Sequence, residues 1–347
     1  MDAVVQFTGE RAVEVADVEP DPLPPGHVRV RTRYSGISAG TELTAYRGTN
    51  PYLNRVWDPA TRLFTPGDGL RYPVAGWGYS EVGQVVEASA VPDGDRHPRV
   101  GEWVWGIWGH RSGAVVAADK LAGHQLPAGV EPLAASFARV GAVALNAVLA
   151  AGLHLGETVA IFGQGVIGLL ATRLATLSGA AVIAVDGIPA RREAALAFGA
   201  VAALAPQRAA EEIRTNTSDL GADVAIELSG AYPALHEAIR SVAAGGQVVA
   251  AGFYQGDGAG LRLGEEFHHN RVSVVASQIG GVPAALGLRW SQDRLQRTFL
   301  AQLAAGTVTV DRLVSHVLPV QRAAEAYELL DRHPADALQV VLEFPEA

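Results

Sequence analysis

The spacing of hydrophobic and polar positions divides the chain into two regions of different texture. Up to about residue 125, short runs alternate in polarity between Gly- and Pro-rich turns, as in HVRVRTRYSGIS, EVGQVVEAS and GEWVWGIWG. Alternation with a period of two is typical of strands that bury one face. The first region is therefore predicted to be a β-rich domain.

From about residue 131 the pattern changes to apolar strands that alternate with helices. PLAASFARVGAVALNAVLAAG predicts one or two buried helices, and ETVAIFGQGVIGLLATRLATLSGAAVIAV predicts strand, glycine turn, helix and strand. ADVAIELSG and GGQVVAAGFY predict further strands, with the helix YPALHEAIRSV between them. Strands and helices in this order predict an α/β fold with a doubly wound parallel sheet.

Composition and charge exclude several kinds of partner and metal site. The chain has 347 residues, a net charge of −9 and no cysteine. The acidic balance argues against nucleic acid and anionic membranes as partners, and the missing cysteines exclude disulfides and thiolate zinc sites. The start lacks a signal-peptide pattern and no apolar run is long enough to span a membrane, so we expect a cytoplasmic protein without a membrane partner.

One glycine motif carries a specific chemistry. Gly163, Gly165 and Gly168 form G-x-G-x-x-G between an apolar strand and a helix. The first glycine permits the turn, the second lets a pyrophosphate approach the backbone, and the third lets helix and strand pack closely. The pattern alone is weak, and an ordinary turn without a ligand is the alternative, but the whole strand–turn–helix–strand unit favours a dinucleotide site.

The next strand ends in an acid that bears on the choice of cofactor. Asp186 follows AVIAV, 18 residues after the last glycine, where a carboxylate accepts hydrogen bonds from the adenosine ribose. A carboxylate there repels a 2′-phosphate, so NAD is favoured over NADP. Arg191 and Arg192 follow closely and offer a counter-charge, although the solvated start of a helix is their other interpretation.

Taken together, these features resemble the medium-chain dehydrogenase/reductase superfamily, which includes the zinc alcohol dehydrogenases and the quinone reductases. YSGISAGTELTAYRG resembles the family segment C-G-x-C-G-T-D, and AGWGYSEVGQVVE resembles G-H-E-x-x-G-x-V. The resemblance implies a GroES-like catalytic domain over 1–125 and 289–347 and a Rossmann domain over 126–288. The cofactor-binding residues implied are Gly163, Gln164, Gly165, Val166, Ile167, Gly168, Asp186, Arg191, Ser229 and Gly252.

The departures from the family pattern concern its catalytic zinc. The first ligand position falls on Ser38 or Ala39, and Tyr79 and Ser80 replace the histidine and glutamate. The third position lies in FARVGAVAL, which offers no ligand. We therefore expect no zinc, because hydroxyl and phenol oxygens make a poor zinc site.

The remaining histidines do not suggest another metal site. His268 and His269 are adjacent, so along a strand they would point to opposite faces. His97, His110 and His124 occur singly in turn-like segments. All five are interpreted as surface or hydrogen-bonded histidines.

The candidate catalytic residues carry hydroxyl groups. Thr41 matches the family threonine or serine that touches the substrate oxygen, with a turn-capping role as the alternative. We expect the hydroxyls of Thr41 and Tyr79 to converge on that oxygen and to replace the metal by hydrogen bonding, although Tyr79 as a packing aromatic is equally open. Ser38, Glu42, Tyr46 and Trp57 are candidates for the substrate pocket, with Glu42 otherwise a structural acceptor. The insertion at 50–73 predicts a polar or bulky substrate.

The sequence thus predicts a zinc-independent oxidoreductase that transfers hydride between NAD(H) and a secondary alcohol or ketone. The segment SGISAGTE, which is similar to the bacteriochlorophyllide a dehydrogenase branch, favours this chemistry. A C=C or quinone reductase of the same fold and a non-catalytic nucleotide-binding protein are the alternatives. The substrate is expected to be a small molecule, and the resemblance implies a homodimer through the edge strand RVSVVASQIGG, residues 271–281.

Overall fold

The chain divides into two compact units. The structure, a computed structural model, describes residues 1–90 and 96–345. Unit 1 comprises Met1–Arg139 and Leu303–Ala347, and unit 2 comprises Val140–Gln302. The described residues contain no helix with the length and apolar character needed to cross a bilayer.

Unit 1 is built mainly of antiparallel strands. Its largest sheet has the order β16-β17-β3-β7-β8, with β9 also paired to β3, and a smaller sheet has the order β2-β1-β6. A separate hairpin pairs β4 with β5. The strands are β1 Asp2–Gly9, β2 Ala12–Val18, β3 His27–Gly36, β4 Arg55–Asp58, β5 Leu63–Pro66, β6 Val74–Ala75, β7 Glu81–Ser89, β8 Trp103–Gly106, β9 Gly113–Ala117, β16 Val314–Pro319 and β17 Gln339–Glu343.

The period-two pattern of the sequence appears directly in these strands. In β3, Val28, Val30 and Thr32 are almost completely buried while the residues between them are half-buried. Three α-helices complete unit 1 and pack on its sheets: α1 Glu42–Tyr46, α2 Pro132–Ala135 and α10 Ala323–Arg332. Short 3₁₀ turns cover Pro51–Leu53, Ala118–Leu121 and Val320–Arg322.

Unit 2 contains one parallel sheet with the order β12-β11-β10-β13-β14-β15. This is the strand order of a dinucleotide-binding fold, in which ligands bind beyond the carboxyl ends of the strands where the order reverses, here between β10 and β13. The strands are β10 Thr158–Phe162, β11 Ala181–Val185, β12 Ala202–Leu204, β13 Ala222–Glu227, β14 Val242–Ala250 and β15 Ser273–Ala276. The predicted α/β fold class is confirmed.

Helices connect the strands of unit 2 and bury an apolar face on the sheet. The core of β10 and β11 packs with Ile213, Leu235 and Ile239, which come from the connecting helices. The helices are α3 Ala138–Ala151, α4 Val166–Leu177, α5 Pro189–Ala197, α6 Ala209–Asn216, α7 Tyr232–Ser241, α8 Glu266–His269 and α9 Gln292–Ala304, with a 3₁₀ turn at Ala284–Leu286.

The boundaries between the units fall later in the chain than predicted. The sequence placed them after residues 125 and 288, whereas the structure places them within α3 and α9. The first boundary shifts because α2 packs against β3 and β7 and so belongs to unit 1. The second shifts because Phe299 of α9 lies against Gly141 in unit 2.

Candidate active site

Three hydroxyl groups meet where β7 begins in unit 1. Ser38 and Thr41 lie in the loop between β3 and α1, and Tyr79 follows the glycine turn before β7. The Tyr79 phenol is hydrogen-bonded to Ser38 Oγ and lies 3.5 Å from Thr41 Oγ1, toward which it donates. The structure thus brings Thr41 and Tyr79 together as expected and adds Ser38, while the catalytic role of the cluster stays a prediction.

The environment of this cluster suits a neutral hydrogen-bond donor. Thr41 and Tyr79 are half-buried, so they remain accessible to a ligand, whereas Ser38 is buried. Burial raises the pKa of Tyr79, which keeps the phenol protonated at neutral pH, and the nearby positive charge of Arg139 opposes that rise. Arg139 is half-buried and its own pKa is lowered by burial. The cluster therefore carries donors and a neighbouring cation.

Glu42 anchors the loop that carries Ser38 and Thr41. It is 1% exposed, and its Oε1 accepts a hydrogen bond from the backbone N–H of Ser38 at 3.0 Å. Its Oε2 accepts from the phenol of Tyr327 at 2.7 Å and from Nε2 of His110 at 2.8 Å. Glu42 is thus a fully engaged structural acceptor rather than a residue of the pocket surface.

The network continues from His110 to a second buried carboxylate. Nδ1 of His110 lies 2.5 Å from Ser35 Oγ, and that hydroxyl donates to Glu81 Oε1 at 3.0 Å. Because the single hydroxyl proton of Ser35 goes to Glu81, Ser35 must accept from His110 Nδ1–H. Nε2–H of the same ring donates to Glu42. With both glutamates ionised, this pattern assigns a proton to each ring nitrogen of His110.

The electrostatics agree with this proton assignment. Burial lowers the pKa of His110, but Glu42 and Glu81 outweigh it and the pKa is raised overall. Burial raises the pKa of Glu81, against the hydrogen bonds that it accepts from Ser35 and from the backbone N–H of Trp108. His110, interpreted from sequence as a surface or hydrogen-bonded residue, is a buried hydrogen-bonded one at 1% exposure.

Zinc does not fit these residues. Ser38 and Tyr79 provide hydroxyl oxygens that are hydrogen-bonded to each other, and a guanidinium lies within electrostatic reach. His110 has both nitrogens engaged and protonated, so it offers no lone pair to a metal. Over the described ranges, no three imidazole or carboxylate ligands gather around Tyr79.

Two of the pocket candidates lie elsewhere in unit 1. Tyr46 was predicted to line the pocket, but it is 5% exposed and packs in the hydrophobic core against Phe7 and Tyr327, so it is assigned to packing instead. Trp57 lies on the β4–β5 hairpin within the insertion, 39% exposed, with its ring against Phe64. Its pocket role stays a prediction.

The glycine motif of unit 2 forms a cradle at the carboxyl end of β10. Gly163 has φ +87°, and a Cβ there would lie 2.7 Å from the backbone nitrogen of Ser229. A Cβ on Gly168 would lie 1.8 Å from the carbonyl oxygen of Gly163, so only glycine lets α4 pack this close. At Gly165 the one atom within 4 Å is Arg191 NH1 at 3.9 Å, which leaves room for a ligand beside the backbone.

Asp186 ties the cradle to the end of β11. Its Oδ2 accepts from the backbone N–H of Gln164 at 2.6 Å and its Oδ1 from that of Ile188 at 2.8 Å. Arg192 donates to the carbonyl oxygen of Asp186 at 2.7 Å, and burial lowers the pKa of Arg191 while Asp186 raises it. The carboxylate, the glycine turn and Arg191 therefore share one site; Val166 and Ile167 open α4 there.

A buried carboxylate that the sequence analysis missed organises the other side of the cradle. Glu227 ends β13 with 0% exposure and accepts from the backbone N–H of Ser229 at 2.7 Å and from the phenol of Tyr254. Its backbone carbonyl accepts from the N–H of Gly252 at 2.9 Å. Burial raises the pKa of Glu227. The signal in the sequence is an acid inside the otherwise apolar run ADVAIELSG.

Sequence reasoning also missed most of the buried network of unit 1. Ser35, Glu81, His110 and Tyr327 occur in four separate segments, and no local pattern joins them. Glu81 directly follows Tyr79 and Ser80, which replace the histidine and glutamate of the family segment. This proximity in sequence is the one signal that places Glu81 near the site. Arg139 lies in the apolar segment FARVGAVAL, where no sequence pattern indicates that its charge acts on Tyr79.

Comparisons with known proteins agree with this architecture. Residues 166–291 match the zinc-binding dehydrogenase family, and this range lies wholly within unit 2. The chain is 29% identical to D-guloside 3-dehydrogenase of Shigella flexneri over 97% of this chain and 98% of that protein. It is 27% identical to 2-desacetyl-2-hydroxyethyl bacteriochlorophyllide A dehydrogenase of Rhodobacter capsulatus over 99% and 98%. The solved structure of 2R,3R-butanediol dehydrogenase from Bacillus subtilis superimposes with a TM-score of 0.80 at 21% identity, covering 100% of both chains.

Proposed function

Because this chain belongs to the medium-chain dehydrogenase/reductase superfamily, we propose that it is an NAD(H)-linked oxidoreductase acting on a secondary alcohol or ketone without catalytic zinc. The similarity to a D-guloside dehydrogenase along nearly the whole chain supports a sugar or a similarly polar hydroxylated molecule as substrate. A sugar also suits a site lined by hydroxyl groups, which exchange hydrogen bonds with hydroxylated ligands.

One observation supports the proposal: the half-buried hydroxyls of Thr41 and Tyr79 meet the buried hydroxyl of Ser38 beside a fully satisfied buried network. The loop is fixed from below by Glu42, so the hydroxyls are held before a substrate arrives. Donors fixed in place stabilise a developing alkoxide without reorganisation. Arg139 lies within electrostatic reach of Tyr79, and its positive charge would lower the energy of negative charge on the substrate oxygen.

In the direction of alcohol oxidation, these residues handle the hydroxyl proton. Thr41 Oγ1 accepts a hydrogen bond from the substrate hydroxyl. The phenol of Tyr79 donates a hydrogen bond to the substrate oxygen as that oxygen becomes alkoxide-like. The carbonyl product forms when the carbinol carbon loses its hydride, and the proton leaves through the hydroxyl cluster to water. In ketone reduction the same donors polarise the carbonyl oxygen and return the proton.

The cradle in unit 2 has the features that an NAD(H) molecule requires. When bound, the nicotinamide supplies the acceptor or donor of hydride. The open backbone at Gly165 and the amino end of α4 would hold the pyrophosphate, and Asp186 would accept from the adenosine ribose. Ser229 and Gly252, held by Glu227, border the same end of the sheet.

The test follows the hydride. We would incubate the protein with NADH carrying deuterium at C4 of the nicotinamide and a panel of ketosugars, simple ketones, enones and quinones, and locate the label by mass spectrometry and NMR. The proposal expects deuterium on the carbinol carbon of a reduced sugar ketone. Label on an enone carbon or reduction of quinones would favour the C=C or quinone reductase instead. Tight NADH binding with no turnover on any member of the panel would favour a nucleotide-binding protein.

A further inference from the structure

A second cluster of potential ligands lies in unit 2, on helices that the cofactor cradle does not use. His236 lies on α7, and Glu265 and Glu266 lie at the start of α8. One ring nitrogen of His236 and one carboxylate oxygen from each glutamate lie within 4.8 Å of one another. Across residues 1–90 and 96–345, this is the one group of three such side chains.

Two atoms of this cluster are buried without a hydrogen-bond partner. His236 is 6% exposed, and its Nε2 makes no hydrogen bond. Oε2 of Glu266 is likewise buried and unpaired. Buried polar atoms are nearly always paired, so an unpaired imidazole nitrogen and an unpaired carboxylate oxygen on two residues of one cluster indicate missing partners.

The two glutamates also take part in ion pairs with arginines. Arg240 contacts Glu211 and Glu237 at 2.6 Å each, and Oε1 of Glu266 at 3.2 Å, which leaves Oε2 of Glu266 unused. Arg262 donates to Oε2 of Glu265 at 2.7 Å. Four carboxylates thus surround two guanidinium groups in this cluster.

We propose that His236, Glu265 and Glu266 form a binding site for one divalent transition-metal ion of the zinc class. One imidazole and two carboxylates are a ligand set that suits zinc and its neighbours, whereas calcium and magnesium prefer oxygen alone. Metal–ligand bonds of about 2.0–2.2 Å require the three atoms to move closer together, which rotations of the glutamate side chains achieve. The ion would link α7 to α8 and would satisfy both unpaired atoms.

This site is independent of the proposed catalysis, because its residues lie neither in the hydroxyl cluster nor in the glycine cradle. It also differs from the family's catalytic zinc, whose ligand positions in unit 1 hold Ser38 and Tyr79. A metal found in this protein would therefore support the fold of unit 2 and not the reaction.

The test measures binding of zinc alone, without any turnover. Tag-free protein would be stripped with a chelator and titrated with zinc chloride by calorimetry, and its thermal unfolding would be followed with and without zinc. We expect about one equivalent per chain and a higher melting temperature with zinc. His236→Gln and Glu266→Gln should each weaken binding at least about 10–100-fold, the loss typical even for residues that only support a metal ligand.

His268→Gln is the matched control, because His268 lies on the same short helix but is exposed and outside the cluster. It should bind zinc and gain thermal stability like the parent protein. Circular dichroism of the metal-free variants establishes that each is folded. Absence of binding in the folded parent protein, or equal binding in folded His236→Gln, would overturn the site.

Discussion

At the scale of single residues, the substitution Tyr79→Phe distinguishes a catalytic role of the Tyr79 phenol from a packing role. Tyr79→Phe removes the donor that meets Ser38 and Thr41 but keeps the ring. Loss of one such donor typically lowers kcat by about 10²–10³. We expect a fall of that size in steady-state assays, with cofactor affinity and melting temperature nearly unchanged.

Tyr72→Phe is the control for Tyr79, because the Tyr72 phenol donates to the backbone carbonyl of Ala45 and lies outside the hydroxyl cluster. It should keep normal turnover. Near-normal kcat in Tyr79→Phe would leave Thr41 with Arg139 as the groups that polarise the substrate oxygen.

A second prediction at the residue scale is that Asp186 makes the protein prefer NADH over NADPH. Asp186→Ser should relax the preference by up to about 1–3 kcal/mol, the contribution of one hydrogen bond to a charged group, as measured by fluorescence titration with both cofactors. Asp223→Ser is the matched control for Asp186→Ser, because Asp223 also accepts a hydrogen bond from a backbone N–H in unit 2, that of Thr158. If the unmodified protein binds NADPH more tightly than NADH, the proposed preference is wrong.

At the scale of elements, His110 joins the segment after β8 to β3, α1 and the start of β7. The groups that face it are Glu42, Ser35 and Glu81, with the ring of Tyr327 at its edge. His110→Leu leaves buried carboxylates without their cation, so we expect the free energy of unfolding to fall by about 3–5 kcal/mol. His124→Leu, in which the lost ring nitrogen contacts a backbone carbonyl, should cost less.

The pH dependence of stability follows from the raised pKa of His110. In the pH window from about 6.5 up to its folded pKa, the native protein holds more protons than the unfolded chain. The stabilisation is therefore complete below that window and is lost as pH rises through the folded pKa. Chemical denaturation across this window should show that decline in the parent protein and a shallower one in His110→Leu. Equal slopes would contradict the imidazolium assignment.

The sequence predicted the secondary structure well where a segment repeats its polarity pattern several times. It predicted poorly where the element is only one helical turn or a short hairpin. The strands around Val28 and around Gly163 follow their patterns because each buries a regular apolar face. His268 and His269, which were considered as strand residues, end the single-turn helix α8, and the insertion at 50–73 contains a hairpin. Such short elements lack the several periods that a pattern needs.

The edge of the parallel sheet leads to another prediction at this scale. β15 is the outer strand, and Ser273 and Val274 are exposed on it. Unpaired edges favour association, so we propose that two chains pair along β15. Light scattering should give a dimer at micromolar concentration, and Val274→Lys should shift it toward monomer. A parent protein that is monomeric under those conditions would refute the pairing.

At the scale of the whole molecule, the candidate hydroxyl cluster lies in unit 1 and the candidate cofactor cradle lies in unit 2. The separation in sequence between the residues of each site explains which site could be predicted from the sequence. The cradle was predictable because its three glycines fall within the six residues 163–168. The network of Glu42 with His110 and Tyr327 was not, because its members are 68 and 285 residues apart from Glu42. Long-range pairing between single polar residues leaves no periodic trace.

Independence from metal is the prediction that concerns the entire protein. We expect exhaustive chelation to leave kcat unchanged, because the hydroxyls near Tyr79 replace the metal. Elemental analysis should accompany the assay, since zinc bound at His236 would be removed without loss of turnover. Activity that disappears on chelation and returns with one equivalent of zinc in His236→Gln would contradict zinc-independent catalysis.

The position of β17 has a consequence for how the chain folds as it is synthesised. β17 lies beside β3 in the large sheet, and the Gln339 side chain donates to the carbonyl oxygen of Ile37, 302 residues earlier. The intervening segments include all of unit 2, so the whole of unit 2 is synthesised before β3 gains its partner on that side. Unit 2 should therefore fold first during translation. Unit 1 would keep an unpaired edge on β3 until Gln339–Glu343 leaves the exit tunnel. We expect chaperones to protect this edge, because unpaired strand edges favour aggregation.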